Sequence, residues 1–415
     1  MDSSRFFILL FFIIICKTMD KNIIQKIKEL SEEYFDDIIK IRRDIHKNPE
    51  LSFQEEETSL YIQNELSKLV IPFEANIAGT GVVGKLIGDK PSDKVIALRA
   101  DIDALPIEEE NSFDFKSQNK GVMHACGHDA HTASLLGTAR ILNSIKEHWG
   151  GTILLIFQPG EERYPGGASL MLKEGIFDKL KPEVVIGQHV LPELETGKVG
   201  FKPGIYMASA DEIYITIKGR GGHGALPENF DDTILAASQV VVSMQQVVSR
   251  IVPPSIPTVL TFGKIVGNGA NNIIPAKVEI AGTLRTLNEE WRAKIKDKIK
   301  EIAKLTAKAY NCQCDIDIKD GFPMVDNDEK STEKAISFAK QYLGDQKVEK
   351  LETRMTAEDF GYFTQKYPSV YYRFGVKQEK GETSNLHTSN FNLNENSLKT
   401  SMGNMTWIAI NFLNI

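Results

Sequence analysis

The sequence predicts an α/β protein of two domains, in which a small domain is inserted into a larger one. Three observations lead to this prediction. At 415 residues the chain is long for one compact core. Short apolar runs alternate with helical patterns through most of the chain. Between about residues 206 and 320 the order changes to β-α-β-β-α-β, a unit that is complete in itself.

The larger domain begins with helical patterns and continues with buried strands. Apolar residues recur at three- and four-residue spacings from about residue 21, and a second helix is expected over Glu55–Leu69. Apolar runs then occupy 95–99, 152–157 and 184–187, and the stretch Thr132–Trp149 between the first two is amphipathic. Continuous apolar runs that alternate with helices indicate a sheet buried on both faces.

The inserted domain is expected over 206–320, so the larger domain would comprise residues 20–205 and 321–415. A helix at 330–342, a strand at 370–374 and a helix at 397–413 resume the earlier pattern after the insert. The six elements of the insert follow the split motif. They are the strand Glu212–Lys218, the helix Asp231–Arg250, the strands Thr258–Ile265 and Lys277–Leu284, the helix Glu289–Ala309 and the strand Cys314–Lys319.

The N-terminal segment has the pattern of a secretory signal peptide. Residues Phe6–Cys16 form an apolar run that is too short to span a bilayer as a helix, and Arg5 precedes it. We therefore expect residues 1–19 to be removed, which would leave a secreted or lumenal protein without a stable membrane span. An uncleaved anchor, or a misassigned start that leaves the protein in the cytoplasm, is the alternative.

Charge and cysteine content exclude two other classes of protein. A net charge of −7 with a pI of about 5.8, and the lack of any run of Lys and Arg interleaved with aromatics, speak against a nucleic-acid partner. Four cysteines do not form a disulfide framework in a chain of this size.

The densest group of polar residues is MHACGHDAH at 123–131. Thiolate and neutral imidazole are ligands that borderline-soft divalent metals favour, and Cys126 and His128 stand two apart across a glycine. The spacing therefore predicts that both side chains bind one metal ion from a loop. The alternative is a chance cluster, or a histidine that caps the helix after it.

Further metal-type side chains follow the predicted strands. Glu161 and Glu162 come directly after the run at 152–157, His189 follows the run at 184–187, and His387 follows the strand at 370–374. Asp101 and Asp103 stand just beyond the run at 95–99. Taken alone, adjacent carboxylates are usually a solvated surface pair. Ligand groups in open α/β sheets, however, gather beyond the carboxyl ends of the strands, so one shared site is the better interpretation.

With these motifs the chain resembles the amidohydrolases of the aminoacylase and carboxypeptidase G clan. The resemblance is to the subfamily of hippurate hydrolase, bacterial N-acyl-amino-acid amidohydrolases and plant auxin-conjugate hydrolases. The segments that carry it are LRADIDALPI (98–107), MHACGHDAHT (123–132), FQPGEE (157–162), GQHV (187–190), GRGGHGALP (219–227), NNIIPAKVEIAGTLRT (271–286), MTAEDF (355–360) and LHTSNF (386–391).

The resemblance implies a fold and a metal centre. The larger domain would be a metallopeptidase-like catalytic domain on a mixed sheet, and the insert a ferredoxin-like lid and dimerisation domain. Two divalent metal ions are expected, Mn²⁺ or Zn²⁺, with Co²⁺ as a further candidate. Cys126 would bridge the two ions, His128 and His189 would complete one, and Glu162 and His387 the other.

The resemblance also assigns roles to residues beyond the ligands. Glu161 would be the general base, and Asp103 would orient a ligand. In the insert, His223 would stabilise the oxyanion, and Arg285 or Asn272 would hold the substrate carboxylate. A histidine between glycines is otherwise only a turn residue. A homodimer through the inserted domain is the partner that this resemblance implies.

The function implied is metal-dependent hydrolysis of the linear amide bond of N-acyl or N-aroyl amino acids by metal-activated water. Two alternatives stay open from the sequence. One is a dipeptidase or carboxypeptidase with the same site. The other is a catalytically silent metal-binding protein on the same scaffold.

Overall fold

The computed structural model describes residues 20–378 and 384–414. The expected signal peptide over residues 1–19 lies outside these described residues. The chain divides into two compact units. Unit 1 runs to Gly204, returns over Asn327–Glu352 and continues from Lys366, and unit 2 comprises Ile205–Asp326 and Thr353–Gln365.

Unit 2 contains a segment that the sequence did not place in the inserted domain. Thr353–Gln365 clusters with it because its backbone pairs with residues just after the start of the unit. The N–H of Ala208 donates to the carbonyl oxygens of Arg354 and Thr356, at 3.2 and 3.1 Å. Such pairing between segments far apart in sequence leaves no local pattern.

Unit 1 is built on an eight-stranded mixed sheet, which confirms the predicted fold class. Its strands stand in the order β1-β2-β4-β3-β5-β16-β6-β15. They are β1 (Phe73–Ile77), β2 (Gly81–Ile87), β3 (Lys90–Asp101), β4 (Gly150–Gln158), β5 (Val184–Glu195), β6 (Val199–Phe201), β15 (Val348–Lys350) and β16 (Ser369–Lys377).

The centre of this sheet is parallel and buried on both faces. β4, β3, β5 and β16 are parallel neighbours, and β2 and β6 join them antiparallel on either side. The residues 153–158 of β4 and 370–376 of β16 are buried without alternation. Continuous apolar runs suit such strands, since helices cover both faces of a parallel sheet.

The helices of unit 1 pack on the sheet and on each other. Their contacts include those of α10 with α4, α2 and α8. Their bounds are α1 (described over 20–33), α2 (Phe35–Lys47), α3 (Glu56–Lys68), α4 (His128–Ser144), α5 (Gly167–Lys173), α8 (Glu329–Leu343) and α10 (Ser397–Asn414). The prediction for α4 was wrong at its start: the helix begins at His128 and not at Thr132.

Unit 2 has a four-stranded antiparallel sheet in the order β10-β12-β8-β13. Along the chain its elements follow the order expected from the sequence: β8 (Ser209–Lys218), α6 (Thr233–Gln246), β10 (Thr258–Val266), β12 (Lys277–Thr286), α7 (Glu289–Ala309) and β13 (Gln313–Asp320). A π-helical turn, Val247–Ile251, follows α6. The short helix α9 (Gly361–Thr364) completes the helices of this unit in the described chain.

Two pairs of short strands form separate two-stranded ribbons. β9 (Gly222–His223) pairs with β11 (Ile273–Ile274), and β7 (Gly204–Met207) pairs with β14 (Val325–Asn327). Within the described residues, only Thr233–Ile251 is long and apolar enough to pass for a membrane span. Ala236, Val240 and Met244 of this run are buried in the core of unit 2, so one face of the run packs there.

Candidate active site

Three predicted ligands from different parts of unit 1 lie close together. The placement of His189 after its strand was wrong, because β5 continues to Glu195 and His189 lies within it. The ligand atoms of Cys126, His128 and His189 are all within 4.8 Å of one another, and all three side chains are buried. The Sγ atom of Cys126 is 3.4 Å from Nε2 of His189. A thiolate and two imidazoles at this separation suit one borderline-soft divalent ion.

A glycine with a left-handed backbone places the first two of these ligands. Gly127 has φ of +83° and stands between Cys126 and the first residue of α4. A Cβ at this position would lie 2.9 Å from Cγ2 of Val190. Only glycine fits both the conformation and the close approach to β5. The turn therefore presents Cys126 and His128 to the same point.

A second group of three shares the thiol with the first. The ligand atoms of Cys126, Glu162 and His387 also lie within 4.8 Å of one another, and Nε2 of His387 is 3.2 Å from Oε1 of Glu162. The N–H of His387 donates to the carbonyl of Ala125 at 2.8 Å, which fixes the C-terminal segment against the Cys126 turn. The two candidate groups thus meet at the sulfur of Cys126, and its bridging role stays a prediction.

The surroundings of His128 favour a cation. Its Nδ1 is 3.1 Å from Oδ1 of Asp103, so in the neutral ring Nδ1 carries the proton and Nε2 has the lone pair. Among the described residues Nε2 has no hydrogen-bond partner. It lies 3.8, 4.0 and 3.9 Å from carboxylate oxygens of Asp101, Glu161 and Glu162. These atoms are within reach of one shared ion, whose bonds to nitrogen and oxygen are about 2.0–2.2 Å.

The pKa shifts at the site describe the same excess of negative charge. Burial opposes a charge on His128, yet the carboxylates of Asp101, Asp103 and Glu162 outweigh it and raise the pKa of His128 to about 10. Burial, together with the charges of Glu162 and Glu161, raises the pKa of the Cys126 thiol well above its ordinary value. A divalent cation would take the place of these protons, because metal binding requires the deprotonated thiolate and the neutral imidazole.

His189 is already in the form that a metal ligand needs. Burial and the Arg373 guanidinium lower its pKa well below the ordinary value for histidine. Its Nδ1 donates to the carbonyl of Val190 at 2.8 Å, which leaves Nε2 as the lone-pair nitrogen that faces Cys126. Hydrogen bonds from the second ring nitrogen commonly fix the tautomer of metal-binding histidines.

Asp103 links two of the predicted ligands. Besides its contact with His128, its Oδ2 accepts from the N–H of Glu162 at 2.9 Å and from the hydroxyl of Ser52 at 2.7 Å. One buried carboxylate thus orients the imidazole of His128 and the backbone of Glu162. The orienting role of Asp103 stays a prediction, and these contacts are the ones through which it would act.

A buried pair, Asp101 and His131, lies behind the predicted metal ligands, and the sequence did not predict that these two residues are partners. Oδ1 of Asp101 is 2.5 Å from Nδ1 of His131, and Nε2 of His131 accepts from the N–H of Val190 at 2.9 Å. Both ring nitrogens of His131 are therefore used in hydrogen bonds, so this residue is not a metal ligand. It holds the peptide to which His189 is bonded. The signal was Asp101 itself, an acid at the end of an apolar strand.

A second buried network supports the start of α4. Oδ2 of Asp129 is 2.6 Å from Nε of Arg42 and 2.8 Å from Nδ1 of His46, and Nε2 of His46 is 3.2 Å from Glu109. Asp129 directly follows the ligand His128. The network therefore ties α2 to the turn of the chain that carries the metal ligands.

The three predicted site residues of unit 2 do not form one group within that unit. His223 and Ile273 are register partners in the β9–β11 ribbon, and the N–H of Gly224 donates to the carbonyl of Asn272 at 2.8 Å. This pairing brings His223 and Asn272 side by side. Arg285 pairs with Ala210 near the opposite end of β12 from Lys277. Burial lowers the pKa of its half-buried guanidinium.

The profile of peptidase family M20/M25/M40 matches residues 97–406, which is most of the chain. The chain belongs to this family.

A curated protein and a solved structure that are similar to this chain agree with this assignment. The N-acyl-L-amino acid amidohydrolase of Geobacillus stearothermophilus is 42% identical over 306 residues, which is 74% of this chain and 82% of that protein. A solved structure from methicillin-resistant Staphylococcus aureus, described as a candidate aminohydrolase, has a TM-score of 0.88 at 37% identity and covers 94% of this chain and 99% of its own.

A third similar protein is described as metal-binding. It is the YXEP protein of Bacillus subtilis, a dinuclear metal binding peptidase of the M20 family. Its solved structure has a TM-score of 0.79 at 32% identity and covers 92% of this chain and 99% of its own. The family resemblance seen in the motifs is thereby confirmed, and this chain is a metal-dependent amidohydrolase of the M20 family.

We expect Cys126→Ala to weaken metal binding at both positions of this M20 site, because both groups of ligands contain that sulfur. Loss of a shared ligand should lower the metal affinity by at least about 10- to 100-fold. Elemental analysis after dialysis would measure it. Cys312→Ala is the matched control, since it removes another buried thiol from unit 2. Two tightly held ions in the Cys126→Ala variant would contradict the bridge.

The Asp129 network predicts a pH-dependent contribution to stability. Burial and Arg42 oppose a charge on His46, but Asp129 and Glu109 outweigh them, so the pKa of His46 is raised above 6.5. A raised pKa means that this stabilisation is complete below the unfolded value and is lost as the pH rises through the folded one. His46→Gln should therefore lower the free energy of unfolding more at about pH 6 than at about pH 9.

Denaturant unfolding of the metal-free protein with a chelator present would measure this difference without the contribution of metal binding. His148→Gln is the control, because His148 lies at the surface and is not part of the network. Equal losses of stability at both pH values would rule out a protonated His46.

Proposed function

We propose that this chain hydrolyses the amide bond of N-acyl or N-aroyl amino acids and releases a carboxylic acid and an amino acid. The observation that carries the proposal is the pair of ligand groups that share Cys126, with the Glu161 carboxylate beside them. The similarity to an N-acyl-L-amino acid amidohydrolase supports the substrate class. Cys126, His128 and His189 would hold one divalent ion, and Glu162 and His387 would complete the site of the other.

Metal ions bound there would lower the pKa of water to about 7 and polarise the scissile carbonyl. The chain itself has to move the proton. Glu161 is 6% exposed and its Oε2 lies 4.0 Å from Nε2 of His128, so its carboxylate stands at the rim of the ligand groups. We assign to Glu161 the uptake of the proton from the attacking water and its delivery to the leaving amine nitrogen.

His223 has the tautomer that donation to an oxyanion needs. Its Nδ1 accepts from the N–H of Ala225 at 3.1 Å, so in the neutral ring the proton is on Nε2, and the side chain is exposed. From the family resemblance we assign this N–H to the oxyanion that forms as the amide is attacked. Asn272 and Arg285 are the two candidates for the group that holds the substrate carboxylate.

The test of the substrate class is a mass-spectrometric screen of acylated amino acids with enzyme reconstituted separately with Mn²⁺, Zn²⁺ and Co²⁺. We expect release of the free amino acid from N-acyl compounds and no turnover of matched dipeptides that carry a free α-amine. Turnover of the dipeptides alone would favour a dipeptidase or carboxypeptidase. Bound metal without hydrolysis of any compound would favour a silent metal-binding protein.

We expect His223→Ala to lower kcat by about 10²- to 10³-fold, because removal of one oxyanion donor typically has this effect. KM should change little, since the donor acts mainly in the transition state. The measurement is steady-state kinetics with the best substrate of the screen. His148→Ala serves as a control for removal of an unrelated histidine. An unchanged kcat would show that His223 is only a turn residue.

We further propose that two copies of the chain form a homodimer through unit 2. Ile234, Leu235 and Val242 on α6 are 40, 45 and 62% exposed, and β10 is an edge strand with exposed Val259 and Ile265. Exposed apolar side chains beside an unpaired strand edge favour association with a second copy. Sedimentation should show a dimer that Val242→Glu converts to a monomer. A wild-type protein that sediments as a monomer at micromolar concentration would contradict this proposal.

A further inference from the structure

A buried carboxylate outside the metal ligands contacts the loop that carries the proposed base. Glu55, at the start of α3, is 0% exposed. Its Oε1 accepts from the N–H of Gly160 at 2.8 Å, and its Oε2 accepts from the hydroxyl of Thr80 at 2.6 Å. A carboxylate is seldom fully buried without a specific partner. Here one partner is the residue directly before Glu161.

The turn at Gly160 is fitted closely against the segment that precedes α3. Gly160 has φ of +59°, and a Cβ there would lie 2.3 Å from ring atoms of Phe53. The carbonyl of Gly160 accepts from the N–H of Gly167 at 3.1 Å, so both backbone groups of this residue are bonded. The turn therefore has one position, which the Phe53 ring and the Glu55 carboxylate define together.

The segment before α3 also acts on the residue that follows Glu161, through Ser52 and Asp103. The Ser52 hydroxyl donates to Oδ2 of Asp103, and the same oxygen accepts from the N–H of Glu162. The backbone N–H groups of Gly160 and Glu162 are thus each bonded to a buried carboxylate. Glu161 lies between these two fixed points.

We infer that Glu55 is a positioning residue for catalysis, which sets the place of the Glu161 carboxylate through its hydrogen bond to Gly160. This inference rests on the proposed function, because it assumes that Glu161 transfers the proton. A shift of about 1 Å in a reacting group can lower the rate by about 10²-fold. Loss of the Gly160 contact should therefore lower kcat although Glu55 does not touch the substrate.

The role requires an acceptor at Gly160 rather than a charge. Burial, and then the charge of Asp103, raises the pKa of Glu55 to about 7. A protonated Glu55 can still accept from Gly160, since its hydroxyl can donate to Thr80, whose own hydroxyl accepts as well as donates. Glutamine offers the same pattern, with its oxygen at Gly160 and its amide at Thr80. Leucine offers no acceptor and would leave the buried N–H of Gly160 without a partner.

The test compares Glu55→Leu, Glu55→Gln and Thr80→Val with the wild-type, metal-reconstituted protein. The readouts are kcat and KM, bound metal by elemental analysis, and the midpoint of thermal unfolding. We expect Glu55→Leu to lower kcat by about 10- to 100-fold at unchanged metal content, and Glu55→Gln to retain kcat close to the wild-type value. Thr80→Val removes the other bond to the same carboxylate, so it should lower the unfolding midpoint and leave kcat nearly unchanged.

The inference is overturned if Glu55→Leu lowers the unfolding midpoint as Thr80→Val does and keeps the wild-type kcat. It is also overturned if Glu55→Gln is as impaired as Glu55→Leu. Should Glu55→Leu fail to fold, Glu55→Asp replaces it, because it keeps the charge but is one methylene too short to reach both partners. Glu161→Gln in the same assay separates the two ideas: full activity of that variant would refute the proton transfer by Glu161 on which this inference rests, whereas its loss of activity beside an unaffected Glu55→Leu refutes only the role of Glu55. A wild-type protein that hydrolyses no N-acyl amino acid would refute the proposed function itself.

Discussion

Glu161→Gln is expected to lower kcat by about 10⁴-fold, the upper end of the range for general acid–base assistance, because one carboxylate would handle the proton in both attack and departure. Glutamine keeps the size of the side chain and its hydrogen-bonding reach, but it cannot accept a proton from water. The bound metal should be unchanged, since Glu161 belongs to neither of the two candidate ligand groups that contain Cys126. Steady-state kinetics and elemental analysis on the same preparation would measure both quantities.

Glu162→Gln is the matched control, because it makes the same chemical change one residue further along the chain. Oε1 of Glu162 lies 3.2 Å from Nε2 of His387, and its side chain is a member of the second ligand group. This variant should lose metal, and excess metal should recover part of its activity. If Glu161→Gln lost metal while Glu162→Gln retained it and was inactive, the two roles would have to be exchanged.

Removal of the metal ions is expected to abolish hydrolysis altogether, and Mn²⁺, Zn²⁺ or Co²⁺ should restore it. The physical reason is the chemistry of the site: the pKa of unassisted water is near 15.7, far above what a carboxylate base can serve at neutral pH. The experiment is exhaustive chelation followed by titration with each ion, with activity and bound metal measured at every step. Full activity of metal-free protein would refute the metal centre.

Metal binding should also change the folded state itself, which gives a readout independent of turnover. Burial and then the nearby carboxylates raise the pKa of the Cys126 thiol, and against burial the carboxylates raise the pKa of His128. An ion that replaces these protons stabilises the folded protein according to its concentration and affinity. The unfolding midpoint should therefore rise with added metal in the wild-type protein and rise less in Cys126→Ala.

Much of the fold followed from local patterns in the sequence. Continuous apolar runs between helical patterns predicted the strands β3, β4, β5 and β16, because strands buried on both faces are mostly apolar. The elements of unit 2 were likewise found in the predicted order. The short strands β6 and β15 were missed, because strands of three residues leave no measurable period.

The helix start at His128 shows where local reasoning failed. The polar residues of 123–131 resemble a loop, yet His128, Asp129 and His131 lie in the first turn of α4 and are fully buried. They tolerate burial because each has partners from elsewhere in the fold, such as Arg42 and His46 for Asp129. Partners of this kind are 83 and 87 residues distant in sequence, so no periodicity can reveal them.

The sequence by itself determined which residue types this protein has available for chemistry and where they stand along the chain: a thiol and an imidazole across a glycine, two acids after a strand, and histidines after two further strands. Only the tertiary structure decided that Cys126 belongs to two ligand groups, that Asp101 and His131 support His189, and that Glu55 reaches Gly160. The reason is physical. Spacing fixes the direction of side chains within one element, whereas the distance between elements depends on sheet register and on packing across the whole core.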